Sequence, residues 1–391
     1  MSKPIIVGIS GGVDSSVSAF TLKEKGYDIE CIFMKNWDGN EESCTSEEDY
    51  KDALLVCDKI DVPLRTVNFA KEYWDNVFQY FLSEHSKNRT PNPDVICNRE
   101  IKFNSFLNYS IELGAKKIAT GHYAQINKKD GLYTLHKGKD NTKDQSYFLC
   151  SLNQRALSKS IFPIGDISKN RVRQIAKDNT KDQSYFLCSL NQRALSRSTF
   201  PIGDISKDRV RQIARDNNLL NHSKKDSTGI CFIGEQAHFK KFLKKYIPEK
   251  PGLIKTVDGI ACGQHDGLMY YTIGQRKGLG IGGGYGSSEL PWFVADKNIK
   301  ENVLVVAQGH DHPALYHSTL TVSNFNWISG TPSKKNSLTA KIRYRQNDQN
   351  CNIDVLSKDK IHIKFDEPQF AITPGQFAVL YDNDECLGGG I

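Results

Sequence analysis

Ile5-Ile6-Val7-Gly8-Ile9-Ser10-Gly11-Gly12-Val13-Asp14-Ser15-Ser16 passes from a short apolar run into a Gly-Gly turn and then into acidic and hydroxyl residues. An apolar run of that length reads as a strand buried on both faces, as strands of parallel sheets are. Two glycines let the backbone close on an anion. The N–H groups that follow open a helix and lie at the positive end of its dipole, where a phosphate binds. Ser10, Ser15 and Ser16 add hydroxyl donors, and Asp14 offers oxygen to a magnesium ion. No lysine stands in this loop, so it is not the common nucleotide loop whose lysine reaches a γ-phosphate.

Outward from this stretch the first 125 residues alternate in βα fashion. Ser15–Lys25 reads as a helix ended by Gly26. Asp28–Lys35 reads as a second strand, and Ser46–Ile60 has helical spacing with Ser46 as N-cap. Pro63–Asn68 reads as a third strand, Tyr73–His85 as an aromatic-rich helix, and Lys117–Thr120 as a strand running into Gly121-His122. Strands alternating with helices imply an α/β fold with a parallel sheet and ligands at the carboxyl ends of its strands.

The chain has 391 residues, 38% of them hydrophobic, and a mean hydropathy of −0.50. This length implies two or three domains. No apolar run reaches the ~18–20 residues of a membrane span, and no leader pattern precedes Ile5, so a cytoplasmic protein without membrane contact is expected. The net charge of +7 permits a polyanionic partner without requiring one. The ten cysteines form no CxxC pair and no zinc-ligand quartet, which points to reduced thiols and no bound metal.

Residues 141–178 and 179–216 are near-identical copies of 38 residues, differing at Lys159/Arg197, Ile161/Thr199, Asn170/Asp208 and Lys177/Arg215. Two units do not make a solenoid. Both cannot fill one slot of a fold, so one copy must loop out or pack as an extra element. Beyond Gly229 the chain turns glycine-rich, with the basic loop Arg276-Lys277. From Trp292 to Ile391 short strand-like runs recur between turn residues, suggesting an antiparallel barrel or sandwich. The expected domains are 1–235 (nucleotide-binding, carrying the repeat), 236–290 (small central domain) and 291–391 (β-barrel).

Five further motifs join the Ser10–Ser16 loop: Asn92-Pro93-Asp94-Val95-Ile96-Cys97-Asn98-Arg99-Glu100-Ile101-Lys102-Phe103, Ala119-Thr120-Gly121-His122-Tyr123-Ala124, a twice-occurring Lys-Asp-Gln-Ser-Tyr-Phe-Leu, Asp226–Glu235 around Cys231, and Tyr271–Gly280. With them the chain resembles the pyrophosphatase-loop family, enzymes that adenylate a substrate oxygen and release pyrophosphate, and within it the bacterial tRNA 2-thiouridylases. The resemblance covers essentially the whole chain apart from one repeat copy.

That resemblance implies a role for each matching residue. Gly8, Ile9, Ser10, Gly11, Gly12, Val13, Asp14 and Ser15 would hold ATP, with Met34 on the adenine and Gly121 allowing the nucleotide to approach. Asn92, Pro93 and Asp94 would hold the flipped-out target base. Cys97 would be the nucleophile and Cys231 the persulfide carrier, the two able to close as a disulfide during turnover. His122, Lys143-Asp144-Gln145 (or the duplicate Lys181-Asp182-Gln183), Arg343-Tyr344 and Gln376 would contact tRNA at its anticodon loop. Arg276-Lys277 and Lys240–Lys245 would supply phosphate contacts. The cofactors implied are ATP and magnesium. The partners are tRNA and a sulfur donor, either a cysteine desulfurase or a relay protein. The activity implied is ATP-dependent formation of 2-thiouridine at the wobble position. Two alternatives stand beside it: a tRNA-binding protein inactivated by the repeat, or another thiolase of the same loop class.

Overall fold

In the computed structural model the residues described are 4–37, 46–129, 132–138, 146–149, 198–199, 201–202, 205, 207–217, 219, 239–281, 290–344 and 346–391. Their strands form three sheets.

The first is the parallel sheet expected from the βα alternation. Its strands are β1 (Ile5–Ile9), β2 (Ile29–Lys35), β3 (Leu64–Asn68), β4 (Lys117–Ala119) and β7 (Ser198–Thr199), in the order β3-β2-β1-β4-β7. Every residue of β1 is buried, as a central parallel strand requires. Helix α1 (Val13–Glu24) follows β1, and α2 (Ser46–Lys59) joins β2 to β3. The strand order reverses between β1 and β4, so the switch point, where α/β sheets bind ligands, lies beyond their carboxyl ends.

The expected Tyr73–His85 helix is longer and has three parts: α3 (Ala70–Tyr73), a π segment over Trp74–Phe78, and α4 (Gln79–Ser86). A second stretch repeats this pattern with α5 (Pro93–Cys97), a π segment over Asn98–Ser105 and α6 (Phe106–Glu112). Cys97 therefore closes α5, directly before the second π segment. Phe78, Phe81, Phe103 and Phe106 bury fully in the core beneath the sheet.

The second sheet runs β10 (Trp292–Asn298), β11 (Val303–Gln308), β8 (Gly252–Thr256), β9 (Ala261–His265). A boundary at 290 falls inside it, because residues 292–308 pair with residues 252–256 rather than with the strands that follow.

The third sheet is antiparallel and barrel-like: β12 (Tyr316–Val322), β16 (Lys360–Phe370), β15 (Gln349–Ser357), β14 (Ser337–Lys341), β17 (Ala378–Asp382), β18 (Glu385–Gly390), with β13 (Asn326–Trp327) on β18. It continues into a hairpin from the first domain, β5 (Ala124–Lys129) and β6 (Leu132–Lys137), through Cys386 opposite Leu135.

The described parts of the repeat come from different copies. Ser146–Leu149 belongs to the first copy, where the Tyr147 hydroxyl bonds the Phe377 carbonyl. β7 and α7 (Lys207–Asp216) belong to the second. Among the described residues, the head of the repeat is represented by the first copy and its tail by the second.

Candidate active site

At the end of β1 the chain turns through Gly11, whose φ is +72°. Only glycine fits there, since a Cβ would lie 2.2 Å from the Asp49 carbonyl oxygen in the first turn of α2. Gly12 begins α1 without a side-chain cap. The hydroxyls expected to face the anion are partly turned inward. Ser15 and Ser16 are buried, and both donate to the Gly12 carbonyl at 3.0 Å. The Ser10 N–H donates to Ser15 Oγ at 3.1 Å. Ser10 alone of the three is exposed. The anion-binding capacity of this loop therefore rests on its backbone N–H groups and on Ser10. Ile9 points into the core, so only its backbone can face a ligand.

Gly8 lies under Met34 and Phe106, whose side-chain carbons would each be 3.2 Å from a Cβ there. Met34 is half-buried at the end of β2, on the floor that an adenine would need. Gly121 packs closely against the start of α1. A Cβ on it would lie 2.8 Å from the Ser15 nitrogen and 2.9 Å from the Asp14 carbonyl carbon. The space is already taken by the first turn of α1. Tyr123, absent from the sequence-derived set though inside the quoted motif, donates its hydroxyl to Asp14 Oδ1 at 3.0 Å. The segment Thr120–Tyr123 thus holds the loop of α1 in place.

The same segment carries His122, which is buried and bonded through Nδ1 to Thr120 Oγ1 at 2.7 Å. Burial, with the Lys102 ammonium nearby, holds its pKa well below the usual value, so the ring is neutral. That corrects the expectation of a tRNA-contacting histidine: in this structure His122 is an interior group, 5.7 Å from the Phe103 ring between centroids. Asp94 is half-buried. Burial pushes its carboxyl up to about 6, against the pull of the same Lys102. Asp94, Lys102 and His122 therefore form one electrostatic group beside the nucleotide loop.

Asn92 caps α5, its Oδ1 accepting the Val95 N–H at 3.3 Å, and Pro93 follows in the first helical position. That oxygen is engaged in the fold rather than offered to a base. Cys97 is buried, packed in the core with Val95, Ile96 and Phe103. The π segment beyond it hydrogen-bonds residues five apart, as the Phe106 N–H to the Ile101 carbonyl shows. Residues five apart then stack, whereas 3.6 residues per turn would separate them around the helix. Lys102 lies within this π segment, near enough to Asp94 and His122 to act on both electrostatically.

The remaining candidates are dispersed. Arg343 and Tyr344 lie in a turn after β14 rather than on a strand. Arg343 Nη2 donates to the Ala371 carbonyl at 2.7 Å, and its guanidinium lies over Phe370. Gln376 Nε2 donates to the Thr90 carbonyl at 2.8 Å, bridging the barrel to the first domain. Arg276 and Lys277 are exposed. Lys240 and Lys244 in α8 (Phe239–Lys244) pair with Asp266, and Lys244 also with Glu249, so they are less free for phosphate than expected. Val13 stands at the first position of α1, but its side chain lies outside the described residues, as do Cys231, Lys143-Asp144-Gln145 and Lys181-Asp182-Gln183. Among the described residues no group of three metal-ligating side chains gathers, and no helix is long and apolar enough to cross a membrane.

Three family models match the chain. The tRNA methyl transferase HUP domain matches residues 3–180 and 174–235, the tRNA methyl transferase PRC-barrel domain 240–308, and the aminomethyltransferase beta-barrel domain 317–391. Full-length relatives are the tRNA-specific 2-thiouridylases MnmA of Hydrogenovibrio crunogenus and of Francisella philomiragia subsp. philomiragia. The first is 50% identical over 99% of this chain and 93% of its own length, the second 51% over 99% and 98%. The chain belongs to the MnmA family. The HUP match is in two pieces that overlap at residues 174–180, within the tandem repeat, so each piece contains one whole copy. Among solved structures, the U34-tRNA thiolase NcsA from Methanococcus maripaludis aligns with 63% of this chain and 67% of its own at 17% identity. Its TM-score of 0.33 is too low to carry an argument. For a member of the MnmA family the nucleotide loop, the Asp94 group and Cys97 are the described parts that could meet a substrate together.

Proposed function

We propose that this chain is an ATP-dependent tRNA sulfurtransferase that converts the wobble uridine to 2-thiouridine. The observation that carries the reading is full-length identity of about half with MnmA 2-thiouridylases. A loop built for pyrophosphate at the switch point of its parallel sheet supports it.

The chemistry is dictated by what uracil lacks. The C2 carbonyl is a weak electrophile, and its oxygen is a poor leaving group. The uridine O2 attacks the α-phosphorus of ATP, and pyrophosphate departs toward the N–H groups of Gly11–Asp14, where developing charge is met by fixed dipoles. A persulfide on Cys231 then attacks C2, and AMP leaves with the former carbonyl oxygen. The Cys97 thiolate attacks the Cys231 sulfur. The electron pair of the persulfide S–S bond stays with the sulfur on C2, giving the thiocarbonyl, and a Cys97–Cys231 disulfide forms. An external thiol restores the pair, and a sulfur-donor protein recharges Cys231. Asp94, with a carboxyl near neutrality, can exchange a proton with the base.

Magnesium fits this site in a limited way. Asp14 brings a single carboxylate to the loop, which suits an ion that keeps most of its waters and binds the phosphates. When bound it would neutralise charge on the leaving pyrophosphate. The tRNA would lie along the barrel and Arg343-Tyr344, and the protein would work in the cytoplasm.

Incubation with ATP, magnesium, a sulfur donor and unmodified tRNA should give a band retarded on a mercury-containing gel. Cys97→Ser and Cys231→Ser should each abolish the retarded band and leave tRNA affinity within about twofold of wild type. Thiolation surviving in either variant refutes the roles given to the two thiols.

A further inference from the structure

The residues just before Asn92 are held by all three domains. The last turn of helix α4 carries Glu84, a buried carboxylate that takes ion pairs from Lys87 and Arg89, both at 3.2 Å. The chain then reverses through Asn88 at φ +60°. The PRC-barrel domain holds the turn at three points. Lys297 Nζ donates to the Asn88 carbonyl at 3.1 Å, His85 Nδ1 meets the Met269 carbonyl at 3.2 Å, and Thr272 Oγ1 meets Thr90 Oγ1 at 3.3 Å. The C-terminal domain holds its end. The Thr90 N–H donates to the Pro374 carbonyl at 3.0 Å. Gln376 Nε2 reaches the Thr90 carbonyl at 2.8 Å and the Pro91 carbonyl at 3.4 Å. The turn carrying it is pressed against this segment, since a Cβ on Gly375 (φ +96°) would lie 2.9 Å from Arg89 Cβ and from the Thr90 nitrogen.

Both backbone polar groups of Thr90 are thus committed to the C-terminal domain, two residues before the cap of the helix that ends in Cys97. That helix has five residues. At 1.5 Å rise per residue this helix, from its Asn92 cap to Cys97, is a short lever of roughly 8 Å. Pro91, its φ fixed by the ring, joins the anchor directly to the Asn92 cap.

We propose that Gln376 is a positioning residue: its side-chain amide, carried by the C-terminal domain, fixes the Thr90–Pro91 backbone and through it the placement of Asp94 and Cys97. This rests on the role assigned to Cys97 above and departs from the direct RNA contact that the resemblance implied. Thr272 acts at the same joint from the PRC-barrel side. Occupancy of the outer domains by tRNA is thereby felt at the reacting thiol.

Gln376→Glu keeps the shape and turns a donor into a carboxylate facing two carbonyls. Three quantities decide the matter: kcat at saturating tRNA, tRNA Kd at fixed salt, and the rate of Cys97 alkylation by iodoacetamide read by peptide mass spectrometry. A displacement of about an ångström costs up to about a hundredfold in rate, so kcat should fall about ten- to a hundredfold. The Kd should stay within about twofold, and Cys97 alkylation should change by about threefold or more, because the lever and not the RNA surface has moved. Thr272→Val should shift kcat and alkylation in the same direction by less. A Kd weakened about tenfold, with kcat and alkylation as in wild type, overturns the proposal and makes Gln376 an RNA contact. Should the Glu variant fail to fold, Thr272→Val decides: unchanged kcat and alkylation there overturn it too. If the wild type does not thiolate tRNA while Gln376→Glu still alters Cys97 alkylation, the proposed function fails and the joint stands.

Discussion

Gly121 and Asp94 show how single residues set the site. A Cβ at Gly121 meets backbone, at 2.8 Å from the Ser15 nitrogen, and backbone in the first turn of α1 cannot yield without moving the anion-binding N–H groups. Gly121→Ala should therefore weaken ATP binding by about tenfold or more while lowering stability by only about 1–3 kcal/mol, the usual cost of overpacking. ATP titration with a parallel denaturant melt checks this, and unaltered ATP affinity refutes it. For Asp94 the sign runs through its proton. Burial raises its carboxyl to about 6 in the folded state, against about 3.9 unfolded. Between those values the native state holds the proton more tightly, so stability falls as pH rises from about 4 through 6. Asp94→Asn should be more stable than wild type at pH 8, by on the order of 1–3 kcal/mol, with the gap closing toward pH 4. A gap that does not change with pH would rule out the desolvated carboxyl as its cause. The Ser10–Ser16 loop was legible in the sequence because its function is local: strand, two glycines, helix start. The lowered pKa of His122 was not legible, since it depends first on burial and then on the nearby Lys102 charge.

The β5–β6 hairpin is among the elements that sequence periodicity did not place. Its signal is present, two runs flanking Asp130-Gly131, a favoured hairpin dipeptide. No local pattern gives its partner, since Leu135 faces Cys386 some 250 residues away. Side chains weld the joint. Lys137 Nζ bonds Asp348 Oδ2 at 2.5 Å and the Asn383 carbonyl at 3.1 Å, and sits 4.5 Å over the Tyr381 ring. Lys341, from β14, stands over the same ring at 5.3 Å. Lys137→Met keeps the stem and removes the charge, leaving Asp348 with Lys341 at 3.7 Å. Because Asp348 is a third exposed, the loss should be nearer about 1–2 kcal/mol than that of a fully buried pair. Amide exchange should quicken in 132–137 and 383–386 and not in β1 or α1. Uniform quickening across the chain would mean the hairpin is not a separate joint. The π segments are a second case of the same kind. No element was assigned to 98–105 from the sequence, and the five-residue hydrogen-bond step there accompanies the burial of Phe103 and Phe106 in the core.

At the scale of the whole molecule, the domains are readable as a succession of textures but not as independent bodies. The βα alternation and the recurrent short strands each announce a sheet, and both are present; the glycine-rich middle announces only a small domain, and part of the second sheet lies in it. The boundaries are blurred because the chain crosses them twice. Residues 292–308 complete the second sheet, and residues 124–137 complete the third. The repeat adds a further crossing, its two copies each supplying one described part of the first domain. A fragment ending at 308 would contain both family-matched N-terminal domains, yet it would lose the strand that pairs with β6 and the Phe377 carbonyl and Tyr381 hydroxyl that meet Tyr147 and Ser146. The hairpin would then present an unpaired edge, with Leu135 and Tyr147 uncovered, the combination that drives edge-to-edge association. Residues 1–308 should accordingly aggregate or unfold well below the intact chain, while full-length protein loses its first and third sheets in one transition. Scanning calorimetry of both, with amide exchange at β1 and β17 as local reporters, checks this. A soluble monomeric 1–308 fragment melting at the full-length temperature would show that the hairpin contributes nothing to holding the domains as one cooperative unit.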